Sequence, residues 1–391
     1  MFRVWNCSTP IHEMKNLRIA WLLTSAADYW HPMLKSLSDI NPDTQAFVAN
    51  WRGFAPGYEE AFKVDIVGER KVVSLRKSAA SYGDNFTVMP LNIVNRLLKF
   101  KPDVIFCNSF GVWTILALLS KPIGKWRVVI AYEGSSPGVD YRNSNLRLSI
   151  RKAMVRAADA CITNSHAGKQ YLEECLAASA ELVHLHPYEV PSGNALQASS
   201  AGEDLSHLEF KRPIFIFVGS VSVRKGISLL LKACTSLVQD GCQPFTVMIV
   251  GDGDQRQGLE EYCRTHNLED YVKWIGKVDY QKLGAYFGYA DIFVLPTLED
   301  TWGMVVLESM AVGKAILCSQ FAGASELVAN DDNGYIFDPN DTNAFASVMK
   351  KFVDDPSLSQ RMGERSSQIM AQYTPEAAAE FLASVAKGTL Q

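Results

Sequence analysis

Along most of the chain, short apolar runs alternate with polar loops and with stretches whose apolar positions recur at helical spacing. That alternation is the pattern of parallel sheets built from β-loop-α units. The plainest instance covers residues 291–319. Residues 292–295 form an apolar run of strand length, Pro296 ends its ladder, and helix-forming residues resume at Gly303 and run to Val312. Gly313 supplies the helix stop, and 315–318 restart a strand. The same reading predicts strands over 17–24, 104–108 and 128–132 in the first half and over 213–218, 247–250 and 272–275 in the second. Helices are expected over 227–233 and from Pro375 onward. In such sheets ligands sit where strands end and helices begin.

The candidate chemistry lies at those ends. Asp300 falls in the loop before the 303–312 helix, and Glu308, eight positions on, lies about two turns into it. Between them stand Trp302, Gly303, Met304 and Val305. Gly303 lets a ligand approach the backbone, and the amides of the first helical turn favour an anion such as a diphosphate. A carboxylate at Glu308 can accept two hydrogen bonds from a ribose diol, and Asp300 can hold sugar hydroxyls in the same way. Gly219 and Ser220 follow the 213–218 strand, and Arg224 and Lys225 come just before the next helix, where cations and free amides act together on a diphosphate. Both cations can stabilise a leaving nucleoside diphosphate, which removes the need for a divalent metal.

In the first half, Tyr29, Trp30 and His31 offer stacking surface for a sugar or acceptor after the first strand. Asn108, and Glu133 with Gly134, end the next two strands and open on the same cleft. Residues 142–156 carry five basic residues and no acidic one. Leu146, Ile150, Ala153 and Ala157 form a stripe that can pack inward, with Arg147, Arg151, Lys152 and Arg156 flanking it. A face of this kind is either solvated or laid on an anionic membrane. His184 and His186 lack the company a metal site requires. Residues 192–206, rich in Gly, Ser and Ala, read as a flexible interdomain linker. The turn 251–257 has Arg256 where a dinucleotide fingerprint requires a third Gly, which speaks against a nicotinamide enzyme.

Composition narrows the class. At 391 residues, with 48% hydrophobic and 20% charged content, the chain reads as a soluble protein of two domains. No run has the length of a membrane span, and the first residues lack an apolar core of signal-peptide length. The eight cysteines form no C-x-x-C pair and read as core thiols of a cytoplasmic protein. The net charge of −4 is unevenly shared, since the first 200 residues carry 22 Lys and Arg against 17 Asp and Glu. A basic first half suits an acidic surface or acceptor, with no specific sign of nucleic acid.

Asp300 and Glu308 in their spacing, the segment 321–341 with Glu326 and Asn333-Gly334, and the opening 217–233 with Lys225-Gly226 together resemble the retaining glycosyltransferases of family 4. The resemblance covers 213–352 in order and is loose in the first half. Asp300 stands where Glu is commoner, Glu133 where many members have His, and Ser220 where many have Arg. The first loop lacks the family's Gly-Gly pair. The resemblance implies an α/β protein of GT-B type, with two Rossmann-like domains facing across a cleft. Residues 1–200 would bind the acceptor, 201–372 the nucleotide sugar, and 373–391 would form a helix crossing back to the first domain. It also implies transfer of a sugar from a nucleoside diphosphate to a hydroxyl acceptor with retention, with no cofactor and no metal. Lys277 and Val278 would hold the nucleobase, and residues 142–156 would contact the inner face of a membrane. Epimerases or hydrolases of the same fold, and a catalytically silent binding or scaffold protein, share these features.

Overall fold

The computed structural model describes residues 16–24, 27–76, 84–199 and 205–391. Among these, strands β1 (Ile19–Leu23), β2 (Gln45–Val48), β3 (Lys63–Ile66), β4 (Lys71–Arg76), β5 (Asp84–Val88), β6 (Val104–Asn108), β7 (Arg127–Tyr132), β8 (Ala160–Thr163) and β9 (Val183–Leu185) belong to the first domain. All but β4 and β5, which pair as an antiparallel hairpin, build one parallel sheet in the order β3-β2-β1-β6-β7-β8-β9. Strands β10 (Ile214–Val218), β11 (Thr246–Val250), β12 (Val272–Gly276), β13 (Ile292–Leu295), β14 (Ala315–Ser319) and β15 (Gly334–Phe337) build the second, in the order β12-β11-β10-β13-β14-β15. Its pairings are likewise parallel. Strands such as β1, β11 and β14 are buried along their whole length because helices cover both faces, which is why they read as unbroken apolar runs.

In both sheets the strand order reverses at a central strand, β1 between β2 and β6, and β10 between β11 and β13. A crevice opens at the carboxyl end of such a switch point. The loops after β1 and β6 therefore form one wall of a cleft, and those after β10 and β13 form the other. The fold is thus α/β with two Rossmann-like domains, as expected from the sequence.

Contacts between side chains and backbone hold the walls together. The Glu299 carboxylate accepts a hydrogen bond at 2.5 Å from the backbone N–H of Gly138, where a Cβ would lie 2.7 Å from the same oxygen. Glu326 accepts from the N–H groups of His166 (2.8 Å) and Ala167 (3.1 Å), so an acid of the second domain sits at the start of a first-domain helix. The Trp302 indole donates to the Glu189 carbonyl at 3.2 Å. The helix Pro375–Gly388 packs on His31–Ile40, and Phe381 stacks on His186 with ring centroids 4.9 Å apart.

Several expectations change. Of the expected linker, 193–199 form a helix whose start is capped by Ser192, and its Leu196 is buried. This helix packs on Leu283–Tyr289 and Met304–Ala311 of the second domain. Residues 200–204, like Ser25, Ala26 and the first 15 residues, lie outside the described residues. The basic helix, Asn145–Ala157, is turned opposite to expectation: Met154 and Val155 are buried, while Leu146 and Ile150 are 72% and 44% exposed. On the same helix Arg151 donates to the Asp140 carbonyl (3.1 Å) and to the Tyr171 hydroxyl (2.8 Å). Trp30 and His31 leave the cleft for the core. Trp30 packs on Trp21 and Tyr188, while His31 is wholly buried among Trp51, Phe54, Tyr58 and Phe62 and accepts from the Ala55 N–H. Among the described residues no helix is long and apolar enough to cross a membrane.

Two predictions follow from this packing. Burial lowers the His31 pKa below its ordinary 6.5, with the Asp28 charge opposing. The unfolded chain therefore binds a proton that the folded one refuses, so this contribution to stability is present above the ordinary value and is lost as pH falls through the folded one. Each such proton steepens the fall by about 1.4 kcal/mol per pH unit. His31→Gln should lower the melting temperature near neutrality yet flatten its acid dependence, and an unchanged slope in the folded variant would refute the assignment. Glu326→Ala should cost roughly 1 kcal/mol, as loss of a helix cap does. It should also speed hydrogen exchange at the amides of residues 166 and 167. Wild-type exchange there would mean that the contact does not hold the domains.

Candidate active site

The second-domain wall is built on two loops drawn together. After β10, the turn Val223–Lys225 runs into Gly226, whose φ of +70° favours glycine and where a Cβ would lie 1.9 Å from the Pro296 carbonyl oxygen. The Arg224 carbonyl accepts from the Leu298 N–H (2.8 Å) and the Thr297 hydroxyl (3.0 Å). So docked, the turn places Lys225 Nζ 2.5 Å from Asp300 Oδ2, both side chains being largely shielded from water. Arg224 separates from Lys225 here, because its Nη1 donates to the Glu299 carbonyl at 2.7 Å. Gly219 has φ +153°, and its carbonyl is so close to the chain after β11 that a Cβ on Gly251 would lie 1.8 Å from it. The glycines of the 251–257 turn thus serve close backbone packing. Ser220 is exposed beside this approach.

Past β13, Gly303 (φ +95°) starts the helix Met304–Ala311, with Met304 and Val305 half-buried in its first turn. Glu308, in the second turn, is buried. Burial pushes its carboxyl up to about 7, while a hydrogen bond with Tyr280 acts the other way. Tyr280 follows β12 just past Lys277 and Val278, of which Lys277 is exposed. Its hydroxyl is raised by burial and by the Glu308 charge. Trp302 offers no face to a ligand; it is buried, with its indole turned to Glu189.

The first-domain wall brings Asn108, Glu133 and Gly134 to the same place. Asn108 hydrogen-bonds the Glu133 side chain, whose carboxyl is raised by burial and by the Asp300 charge across the cleft. At Gly134 a Cβ would lie 2.1 Å from the Thr301 carbonyl oxygen, so the walls touch at this point. Asn164 joins neighbouring strand ends: its N–H donates to the Glu133 carbonyl, and its Oδ1 accepts from the N–H groups of Tyr188 (2.9 Å) and Glu189 (3.2 Å). Glu189 is buried and held well above the carboxylate range, first by burial and then by Glu133. Tyr29 lies half-buried at the centre, its hydroxyl raised by burial and by the charges of Glu189, Glu133 and Glu308.

The structure thus gathers Lys225, Asp300, Glu308, Asn108, Glu133 and Gly134 around one cleft and leaves out Trp30 and His31. Sequence reasoning missed Tyr280, Glu189 and Glu299. Glu189 had a readable signal, a lone acid within the largely apolar run after a strand. The other two had none, because their partners are far along the chain. Among the described residues no group of three His, Cys, Asp or Glu side chains is placed to hold a metal ion.

Residues 205–369 match the family Glycosyl transferases group 1, and residues 48–187 match Glycosyltransferase Family 4. The chain is 28% identical to alpha-D-kanosaminyltransferase of Streptomyces kanamyceticus over 44% of this chain and 45% of that one. It is 25% identical to the sulfoquinovosyl transferase SQD2 of Arabidopsis thaliana over 73% of this chain and 56% of that one. The chain spans about half the length of the curated relatives it matches. Among solved structures, Anabaena Alr3699/HepE in complex with UDP superposes with a TM-score of 0.74 at 15% identity, covering 95% of this chain and all of that one. With its two facing Rossmann-like domains and a glycosyltransferase family match in each half, the chain is similar in sequence to glycosyltransferases and in fold to those of GT-B type.

Proposed function

We propose that the protein transfers a sugar from a nucleoside diphosphate sugar to a hydroxyl acceptor with retention of anomeric configuration. The observation that carries this reading is the placement of Lys225, Asp300 and Glu308 at the second domain's switch point, directly across from Glu133. Glu308 receives the ribose diol, which takes the place of the Tyr280 hydroxyl. Lys225 meets the diphosphate at the end of β10, joined by the amides of Met304 and Val305. Asp300 and Glu133 hold hydroxyls of the sugar. The bond from the anomeric carbon to the leaving phosphate oxygen breaks while the bond to the acceptor oxygen forms on the same face, and the acceptor's proton passes to the departing phosphate. Lys225 supplies positive charge where negative charge develops, so this reading calls for no cofactor. Lys277 and Val278, beyond β12, are placed to meet the base. The Anabaena neighbour was solved with UDP, which favours a uridine donor.

Product identity tests the reaction: a glycoside of the acceptor supports transfer, whereas free sugar would identify a hydrolase. On the helix Asn145–Ala157, exposed Leu146 and Ile150 stand among basic residues, so peripheral contact with the cytoplasmic face of an anionic membrane belongs to the same reading.

Lys225→Ala and Glu308→Ala should each abolish transfer without unfolding the chain, as circular dichroism would verify, and wild-type turnover in either variant would sink the reading. The diol is held by the ionised form of Glu308. UDP affinity should therefore fall as pH drops below about 7. The fall should approach ten-fold per unit well below that value. Isothermal titration across this range should show the dependence in the wild type and a flat profile in Glu308→Gln.

A further inference from the structure

The two acids that the first domain turns to the cleft lack a counter-charge. Asn164 holds them side by side: its N–H donates to the Glu133 carbonyl at 3.3 Å, and its Oδ1 accepts from the Glu189 N–H at 3.2 Å. Glu189 is 4% exposed, and its Oε1 has no hydrogen-bond partner. The Tyr188 hydroxyl is wholly buried and likewise unpartnered, although the charges of Glu189 and Glu133 both act on it. Among the described residues neither acid forms an ion pair, and no cation is among the groups that act on either. Arg70, Arg147 and Arg151 of this domain line a neighbouring cavity of about 530 Å³. Lys225, across the cleft, is engaged by Asp300.

An unpaired buried carboxyl and an unmade hydrogen bond each carry a desolvation cost that a ligand can remove. A sugar hydroxyl offers one donor and no charge. An ammonium offers three donors and the missing positive charge. The surroundings suit a cation as well, because ring faces attract one. Tyr188 packs on Trp30 with ring centroids 6.3 Å apart, and Trp30 on Tyr29 at 5.8 Å, with Tyr29 half-buried at the mouth. A metal ion is a poorer match, since among the described residues no group of three His, Cys, Asp or Glu side chains is placed to hold one. The acids also lie where a sugar would be. A Cβ on Gly134 would meet the Thr301 carbonyl oxygen at 2.1 Å, so the loop that carries Asp300 touches the wall that carries Glu133.

We propose that the sugar transferred is an amino sugar whose protonated free amine is received by Glu189, Glu133 and the Tyr188 hydroxyl. This deepens the transferase reading above, on which it rests, by naming the class of donor. The amine takes no part in the bond exchange at the anomeric carbon and keeps its three protons; the carboxyl proton that it displaces leaves to solvent. Acylation of the amine removes the charge and two of the donors, so an N-acetyl sugar does not fit.

Calorimetric titration of the full chain tests the proposal. The ligands are UDP, UDP-glucose, the UDP-glucose analogues in which one sugar hydroxyl at a time is replaced by an amine, and the N-acetyl form of each analogue. At least one amine isomer should bind about ten-fold or more tighter than both UDP-glucose and its own N-acetyl form. Glu189→Gln should remove that preference and Tyr188→Phe should weaken it, while UDP, which lacks the sugar, binds both variants as it does the wild type. No preference for any amine isomer, or a preference that persists in a Glu189→Gln variant with normal UDP affinity, overturns the amino-sugar assignment and leaves the transferase reading standing. Should Glu189→Gln lose UDP binding by misfolding, Tyr188→Phe decides, and an undiminished preference there overturns the assignment. A wild type that binds no UDP overturns the transferase reading, and the amino-sugar assignment with it.

Discussion

The ion pair between Lys225 and Asp300 is the contact on which the second domain's half of the cleft depends. It ties the turn after β10 to the loop after β13, across the point where the strand order reverses. A shielded pair of this kind gains little net stability, because desolvation offsets most of the attraction. What it fixes is position. Gly226 shows how tightly that position is set, since a single methyl group there would enter the Pro296 carbonyl. On the proposed reading, a diphosphate arriving at Lys225 would compete with Asp300 for the ammonium, coupling donor binding to release of Asp300.

Around that pair the cleft concentrates acids that lack cations. Among the described residues Glu133, Glu189 and Glu308 form no ion pair, and burial raises all three. Burying them ionised would cost several kcal/mol each. The hydrogen bonds that Glu299 and Glu326 accept from backbone N–H groups of the opposite domain work against that cost.

Much of this could be read from the sequence, for physical reasons. β6 and β13 fall where their apolar runs predict, because strands covered on both faces leave no polar alternation to blur their ends. Asp300 and Glu308 were legible because loop and helix positions are local properties. The contacts between walls were not, since Glu299 and Gly138 lie 161 residues apart and Trp302 and Glu189 lie 113 apart. The basic helix failed for a different reason. The expected inward stripe of Leu146, Ile150, Ala153 and Ala157 faces outward, while Met154 and Val155 are buried and Arg151 bonds the Asp140 carbonyl and the Tyr171 hydroxyl. Trp30 and His31 share the composition of a binding platform with that of an aromatic core, and only tertiary packing decides between the two.

Charge summed over halves of the chain also misleads about the site. The first half is the basic one, yet the groups it turns to the cleft are Glu133 and Glu189, while Arg70, Arg147 and Arg151 line the neighbouring cavity. The second half is acidic, yet it contributes Lys225 to the cleft, paired with Asp300. Fields from distant surface charges are screened within about 8 Å at physiological salt, whereas groups inside a closed cleft are not. The few buried side chains at the strand ends therefore govern what enters the cleft.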